Sequence, residues 1–174
     1  MLKSRFWRRW ALVLMFAAPA AWAQTSAPAA ASFERFKALV GDWVDADGVF
    51  GAPGKVAATY RLTGAGSAVV ERLMPDTPNE MTTVYHKDGD DLALTHYCAA
   101  GNQPRMRAKK VDGSVVDFAF DGGSNFDPAR DIHMHSARIE LISPDEIRQT
   151  WQSWNKGTPA GQAASFRLTR KPAE

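Results

Sequence analysis

The sequence predicts an all-β fold, an up-and-down antiparallel barrel of about ten strands preceded by one short N-terminal helix. Three observations lead there. Short runs of alternating apolar and polar residues recur along most of the chain, a period that places every second side chain on one face of a strand. Turn signals punctuate them: Gly64-Ala65-Gly66, Asp88-Gly89-Asp90, Asp112-Gly113 and Ser143-Pro144-Asp145. Beyond the first forty or so residues no helical periodicity of any length appears.

The first residues read as an address. Lys3, Arg5, Arg8 and Arg9 precede a short apolar run, and Ala21-Trp22-Ala23 offers the small-x-small pattern of a cleavage site. The run is shorter than the ~20 residues a membrane span requires. Residues 1–23 are therefore expected to be a signal peptide, which places the mature protein in a bacterial periplasm or outside the cell, without a membrane span. Residues 24–31 read as an Ala/Ser/Pro linker and 32–174 as the barrel domain. The whole chain has 21 Lys+Arg and 19 Asp+Glu; without the leader it has 17 against 19, a net charge of −2. A chain with no basic excess and with scattered cations lacks the footprint of a nucleic-acid binder. Cys98 is the sole cysteine, so no intramolecular disulfide can form and stability must come from an ordinary core.

In order along the chain, Phe33, Phe36, Leu39 and Val40 recur at helical spacing, with Ser32 as the expected N-cap and Gly41 as the stop. Strands are expected near 42–50, 55–63, 67–74, 80–87, 91–98, 105–111, 114–120, 132–142, 146–154 and 163–170. If successive strands alternate in direction, the tight turns gather at one end. The longer connections, 51–54, 75–79, 99–104, 121–131 and 155–162, then gather at the other. Binding residues collect on such loops.

Strand parity selects the inward set. Leu92 and Leu94 carry His96 and Cys98 inward; Ala137, Ile139 and Leu141 carry His133 and His135; Val69 and Leu73 carry Glu71; Ile147 carries Gln149 and Trp151. Parity is ambiguous in 80–87, and in 105–111 between Arg105 and Met106. A polar cluster of Glu71, His96, Cys98, Gln103, Arg105, His133, His135 and Trp151 is expected beneath the loop end. Its apolar floor is expected to be Trp43, Leu62, Leu92, Phe118, Phe120, Ile139 and Leu141.

Gly41-Asp42-Trp43 on the first strand, with Arg170 on the last, resembles the calycin superfamily of lipocalins, fatty-acid-binding proteins and nitrobindins. The expected contact is a cation–π lid of Arg170 over Trp43. The stretch from Met81 to His86, with Thr95-His96-Tyr97-Cys98-Ala99-Ala100-Gly101-Asn102-Gln103-Pro104-Arg105-Met106, resembles a bacterial family of exported lipocalin-like proteins. That resemblance implies a barrel and export, and carries no chemistry.

Three functions compete. The first is a binding protein for a small, partly apolar molecule whose polar head sits near the rim, with no resident cofactor. The second is a haem- or metal-binding barrel, nitrobindin-like, using His133 and His135 about 7 Å apart by strand rise, with His96 as a possible third ligand. The third is a thiol enzyme at Cys98. His96 lies two residues away, ~6–7 Å by strand geometry and too far for the ~3 Å of direct proton transfer, so His133 or His135 would have to be the base. No Gly-x-Ser-x-Gly, His-Glu-x-x-His or phosphate loop is present, and no residue is assigned as catalytic or metal-binding.

Overall fold

The computed structural model describes residues 28–51 and 54–172; the expected leader and the cleavage site lie outside the described residues. A helix, α1 (Pro28–Lys37), is followed by β1 (Gly41–Asp45), β2 (Val56–Thr63), β3 (Ala68–Leu73), β4 (Met81–Asp88), β5 (Asp91–Tyr97) and β6 (Gln103–Asp112). Then come β7 (Val115–Ser124), β8 (His133–Ser143), β9 (Glu146–Asn155), a two-residue β10 (Thr158–Pro159) and β11 (Ala164–Arg170). Each strand from β1 to β9 pairs antiparallel with its successor, and β11 lies between β9 and β1, closing the sheet. Ten strands thus form a closed up-and-down barrel, and β10 pairs only with β9. Closure leaves no long unpaired edge, which is why no second sheet is needed.

The two ends differ as the turn chemistry predicts. Connections at 64–67, 89–90, 113–114 and 144–145 lace one end, and those at 46–55, 74–80, 98–102, 125–132 and 156–163 form the other. The helix packs across β4, β5 and β6 at the laced end. Phe33, Phe36 and Leu39 are buried there, and the Phe36 ring lies 4.6 Å from that of Tyr85. The Arg35 guanidinium donates to the Gly113 carbonyl, pinning the helix to the β6–β7 turn. The helix starts one turn before the expected cap, so Ser32 is a buried residue inside it and not its N-cap.

Trp43 and Arg170 are directly opposite on β1 and β11. The guanidinium carbon sits 4.5 Å from the indole centroid, and the indole N–H donates to the Leu39 carbonyl at 2.8 Å. Arg170 also donates to the carbonyls of Ala38, Val40 and Pro144 at 2.8–2.9 Å and to the Asp145 carboxylate at 3.0 Å. One side chain therefore satisfies orphan carbonyls after the helix and ties the last strand to the β8–β9 turn. Gly41 makes this approach possible. Its φ is +141°, and a Cβ there would stand 2.8 Å from Arg170 Nη1.

The expected floor holds for Trp43, Leu92, Phe118 and Ile139, all buried, while Phe120 and Leu141 are half-buried. Leu62 does not belong to it: it is 46% exposed. The helix covers the β4–β6 side of the laced end and leaves the lower end of β2 open to solvent.

Arg170→Ala is expected to destabilise the protein by about 2–3 kcal/mol, since charge-assisted bonds and a cation–π contact are lost together and carbonyls are left unpaired. Gly41→Ala should lower stability by about 1–3 kcal/mol through backbone strain and displacement of the same guanidinium. Urea denaturation of the two variants measures both.

Candidate functional site

Across β2, β3, β4 and β5 one row of directly opposed residues reads Tyr60, Glu71, Thr83, His96. All four are buried, and directly opposed residues on paired strands share a face, so the row lies on the barrel's inner wall. Glu71 is 1% exposed. Tyr60 donates its hydroxyl proton to Glu71 Oε1 at 2.7 Å, and Tyr85 donates to Oε2 at 2.8 Å. From β9 the Gln149 amide nitrogen donates to Glu71 Oε1 and, at 2.6 Å, to the Tyr60 oxygen. The indole N–H of Trp151, which can only donate, reaches Gln149 Oε1 at 2.7 Å and so fixes which way that amide points. Thr83 Oγ1 lies 2.9 Å from His96 Nδ1, and the His96 ring packs 4.8 Å from that of Trp151. The contacts thus form a loop around the interior: Glu71, Thr83, His96, Trp151, Gln149 and back to Glu71.

The bonds from Tyr60, Tyr85 and Gln149 all run to the carboxylate. Between Thr83 Oγ1 and His96 Nδ1 either atom can be the donor, and the bond holds the ring in place whichever nitrogen carries the proton. Burial pushes the Glu71 carboxyl up from its ordinary range, and the hydrogen bonds from Gln149, Tyr60, Tyr85 and Thr83 pull it back. Among the described residues no Lys, Arg or His forms an ion pair with it. Burial raises both tyrosines well above their usual value, with the Glu71 charge adding to it. His96 is 2% exposed, and burial lowers it to about 4, so the ring is neutral at pH 7. Its Nε2 is buried and bonds to no other protein group.

A second group of rings stands at the loop end. His133 Nδ1 meets the Asp131 carbonyl at 3.0 Å, and His133 Nε2 lies 3.0 Å from His135 Nδ1. The His135 ring stacks on Trp154 at 3.7 Å and on Phe120 at 4.8 Å; Phe126 lies 4.7 Å from His133. A carbonyl can only accept, so His133 carries its proton on Nδ1 and accepts from His135. Burial lowers His135, helped by His133 and Lys109. The expectation that both imidazoles continue the parity of Ala137 and Ile139 is corrected by a β-bulge. Pairing with β9 shifts between Met134 and Ser136, which leaves His135 as the extra residue; Met134 packs against the core, and His133 opposes Trp154.

The remaining expected residues separate. Cys98 is half-buried just past β5, where its N–H donates to the Asn102 carbonyl at 3.0 Å. Gln103 Oε1 accepts from Ser124 at 3.2 Å and from Asn125, so it fastens the rim. Arg105 is exposed and its neighbour Met106 is buried, so Arg105 lies on the outer wall away from Glu71. His133 bonds to His135 and to the Asp131 carbonyl. Among the described residues no three His, Cys, Asp or Glu are grouped to hold a metal ion, and no helix is long and apolar enough to cross a membrane.

Sequence reasoning missed Tyr60, Thr83, Tyr85 and Asn102. Parity with Ala58 could have found Tyr60, whereas Thr83 and Tyr85 sit in the strand whose faces are chemically alike. Asn102 is buried in the β5–β6 loop; its Nδ2 donates to the Ile132 carbonyl at 2.7 Å, and its Oδ1 bonds to no other protein group. No protein-family model matches the chain, and no curated protein matches it; the site is read from its own geometry.

His96 makes stability fall on acidification. Its folded value of about 4 lies below the unfolded 6.5, so between these pH values the unfolded chain binds a proton that the native state refuses. The difference corresponds to roughly 3 kcal/mol, present above pH 6.5 and lost as pH falls to 4. Glu71 acts in the opposite sense, because its raised value lets the native state keep a proton that the unfolded chain has released. Urea unfolding of wild type and His96→Phe at pH 7, 5.5 and 4.5 should therefore give curves whose gap changes with pH in favour of the variant in acid. A gap that stays constant would mean that His96 does not titrate as its burial demands.

Proposed function

We propose that this protein is an exported small-molecule-binding barrel. It would hold a partly apolar ligand at the loop end, with the ligand's polar head on His96. The observation that carries the reading is His96 Nε2: a buried ring nitrogen, oriented through Nδ1 by Thr83, with no bond to another protein group. Buried polar atoms are otherwise paired almost without exception, so a nitrogen that no protein group satisfies is one that a ligand, ion or water completes. The rings of Phe120, Phe126, Trp154 and the two rim histidines supply apolar area at the same end of the barrel. The barrel with its single short helix is consistent with a lipocalin-like protein, and the leader supports export to the periplasm.

The same nitrogen favours a second reading. An imidazole held through Nδ1 that presents a free Nε2 is arranged as metal-bound histidines are. With no three ligating side chains together among the described residues, His96 would hold haem as a single protein ligand and not as part of a multi-ligand metal site.

Native mass spectrometry of the protein recovered from its own periplasm tests both readings. The expected spectrum shows a chain starting at Gln24 plus a small-molecule mass that is lost on denaturation. Haem mass, or a Soret band on hemin addition that His96→Phe abolishes, would select the second reading. Protein recovered bare and still carrying its leader would overturn the proposal.

A further inference from the structure

The barrel wall divides at its loop end. Pairing between β7 and β8 runs from Val115 opposite Glu140 to Ala119 opposite Ser136 and stops there, although β7 continues to Ser124 and β8 begins at His133. Beyond that point β7 stays with β6, where Phe120 opposes Met106 and Ser124 opposes Gln103, and β8 stays with β9. His135, the extra residue of the bulge, is opposed by no residue on either neighbouring strand. Its place therefore depends on its ring.

Rings close the split. His135 stacks on Phe120 of β7 at 4.8 Å and on Trp154 of β9 at 3.7 Å, so one imidazole joins the two lips. His133 lies 5.1 Å from Phe120 and 4.7 Å from Phe126. Phe126 in turn rests against the backbone of Gly123, where a Cβ would stand 2.5 Å from the ring.

The bond between the two imidazoles limits how many protons this closure tolerates. The Asp131 carbonyl fixes a proton on His133 Nδ1, so in the neutral pair His135 Nδ1–H donates to His133 Nε2. One added proton, on His133 Nε2, reverses the bond and keeps it, with the His135 proton moved to Nε2. A second puts an N–H on each of two nitrogens 3.0 Å apart and sets two like charges in contact. The charged groups nearby do not offset them. Burial, His133 and Lys109 of β6 already hold His135 below its ordinary value. The Arg105 guanidinium, also from β6, reaches the same edge at Gly122, where a Cβ would stand 3.4 Å from it. Asp121 of β7 is paired with Arg107, the Asp127 carboxylate with Arg130, and the Asp131 carboxylate accepts from the Asp127 N–H. Phe120, Phe126 and Trp154, the rings packed on the pair, carry no charge.

We propose that the seam between β7 and β8 is an acid-opened gate: the His133–His135 pair holds its lips together while it carries no more than one added proton, and the lips part when both rings are charged. Withdrawal of His135 removes the ring stacked on both lips, and no ladder bond holds that residue in place. The gate goes beyond the small-molecule reading and stands without it.

Hydrogen–deuterium exchange of the folded protein between pH 7 and pH 4.5, corrected for the intrinsic pH dependence of amide exchange, tests the gate. The amides of β2 and β3 serve as the reference for global unfolding. Imidazoles freed from the pair return toward an ordinary value of about 6.5, so each proton that opening admits raises the open fraction by up to roughly tenfold per pH unit below it. Protection of residues 125–136 should fall on acidification at least tenfold more than that of β2 and β3. Imidazole nitrogen shifts in the same wild-type protein should show both rings becoming charged over the pH range in which protection falls. His135→Asn keeps an amide near the place of Nδ1, able to accept from or donate to His133 but taking no proton, and should abolish the extra loss. His135→Phe, which keeps a stacked ring and no proton site, should abolish it as well and stands in should the Asn variant not fold. Three results would each overturn the gate: no loss at 125–136 beyond that of β2 and β3, an extra loss that persists in a folded His135 variant, or a doubly charged pair in a seam that stays protected.

Discussion

A carboxylate buried among neutral donors organises the interior of this barrel. Glu71 accepts from Tyr60, Tyr85 and Gln149, and these come from strands on opposite sides of the closed sheet. An isolated buried charge is costly, and each donated hydrogen bond offsets part of that cost. The result is directional. Trp151 must donate to Gln149, which sets the Gln149 amide so that its nitrogen faces Glu71 and Tyr60. The orientations of Tyr60, Tyr85 and Gln149 follow from the need to direct protons toward one acceptor.

The same constraint explains why the site stands where it does. Below the polar band, the laced end is closed by α1 and by Arg170, which lies over Trp43 and gathers three carbonyls. Above it, the loop-end parts of β7, β8 and β9 carry the half-buried rings of Phe120, His135 and Trp154, and the loops carry the tether from Asn102 to Ile132. One end is plugged by the helix and by Arg170 over Trp43. The other carries ring faces and the two buried side-chain atoms that, among the described residues, bond to no other protein group.

Much of this was legible in the residues. The period-two runs and Gly/Asp turns mark strands that can only pair with their chain neighbours, and the opposition of Trp43 and Arg170 followed from strand direction and parity. Glu71, His96, Gln149 and Trp151 were found the same way, because each sits among apolar residues of the same parity. Parity failed where the period was broken or silent. The bulge at His135 shifts the register by one residue, and its cause is pairing with β9, which no local pattern near 133 reveals. In β4 both faces carry a Thr and an aromatic or β-branched residue, so only the row opposite Glu71 shows Thr83 and Tyr85 to be internal. Arg105 and Met106 posed the same choice, and burial of Met106 against Leu94 and Phe120 resolved it.

The sequence by itself determined the all-β class, the ten barrel strands, the short helix, the two unlike ends and half of the polar band. These follow from local rules: alternation, turn stereochemistry and the side-chain direction of each strand. Only the tertiary structure decided that Tyr60, Tyr85, Gln149 and Trp151 are joined by hydrogen bonds that end at Glu71, with Thr83 and His96 as a bonded pair beside them. It also decided that His96 Nε2 and Asn102 Oδ1 are the buried side-chain atoms among the described residues that bond to no other protein group, and that the rim histidines bond each other. Hydrogen-bond direction depends on which groups face one another across strands distant in the chain. No period in the sequence encodes that.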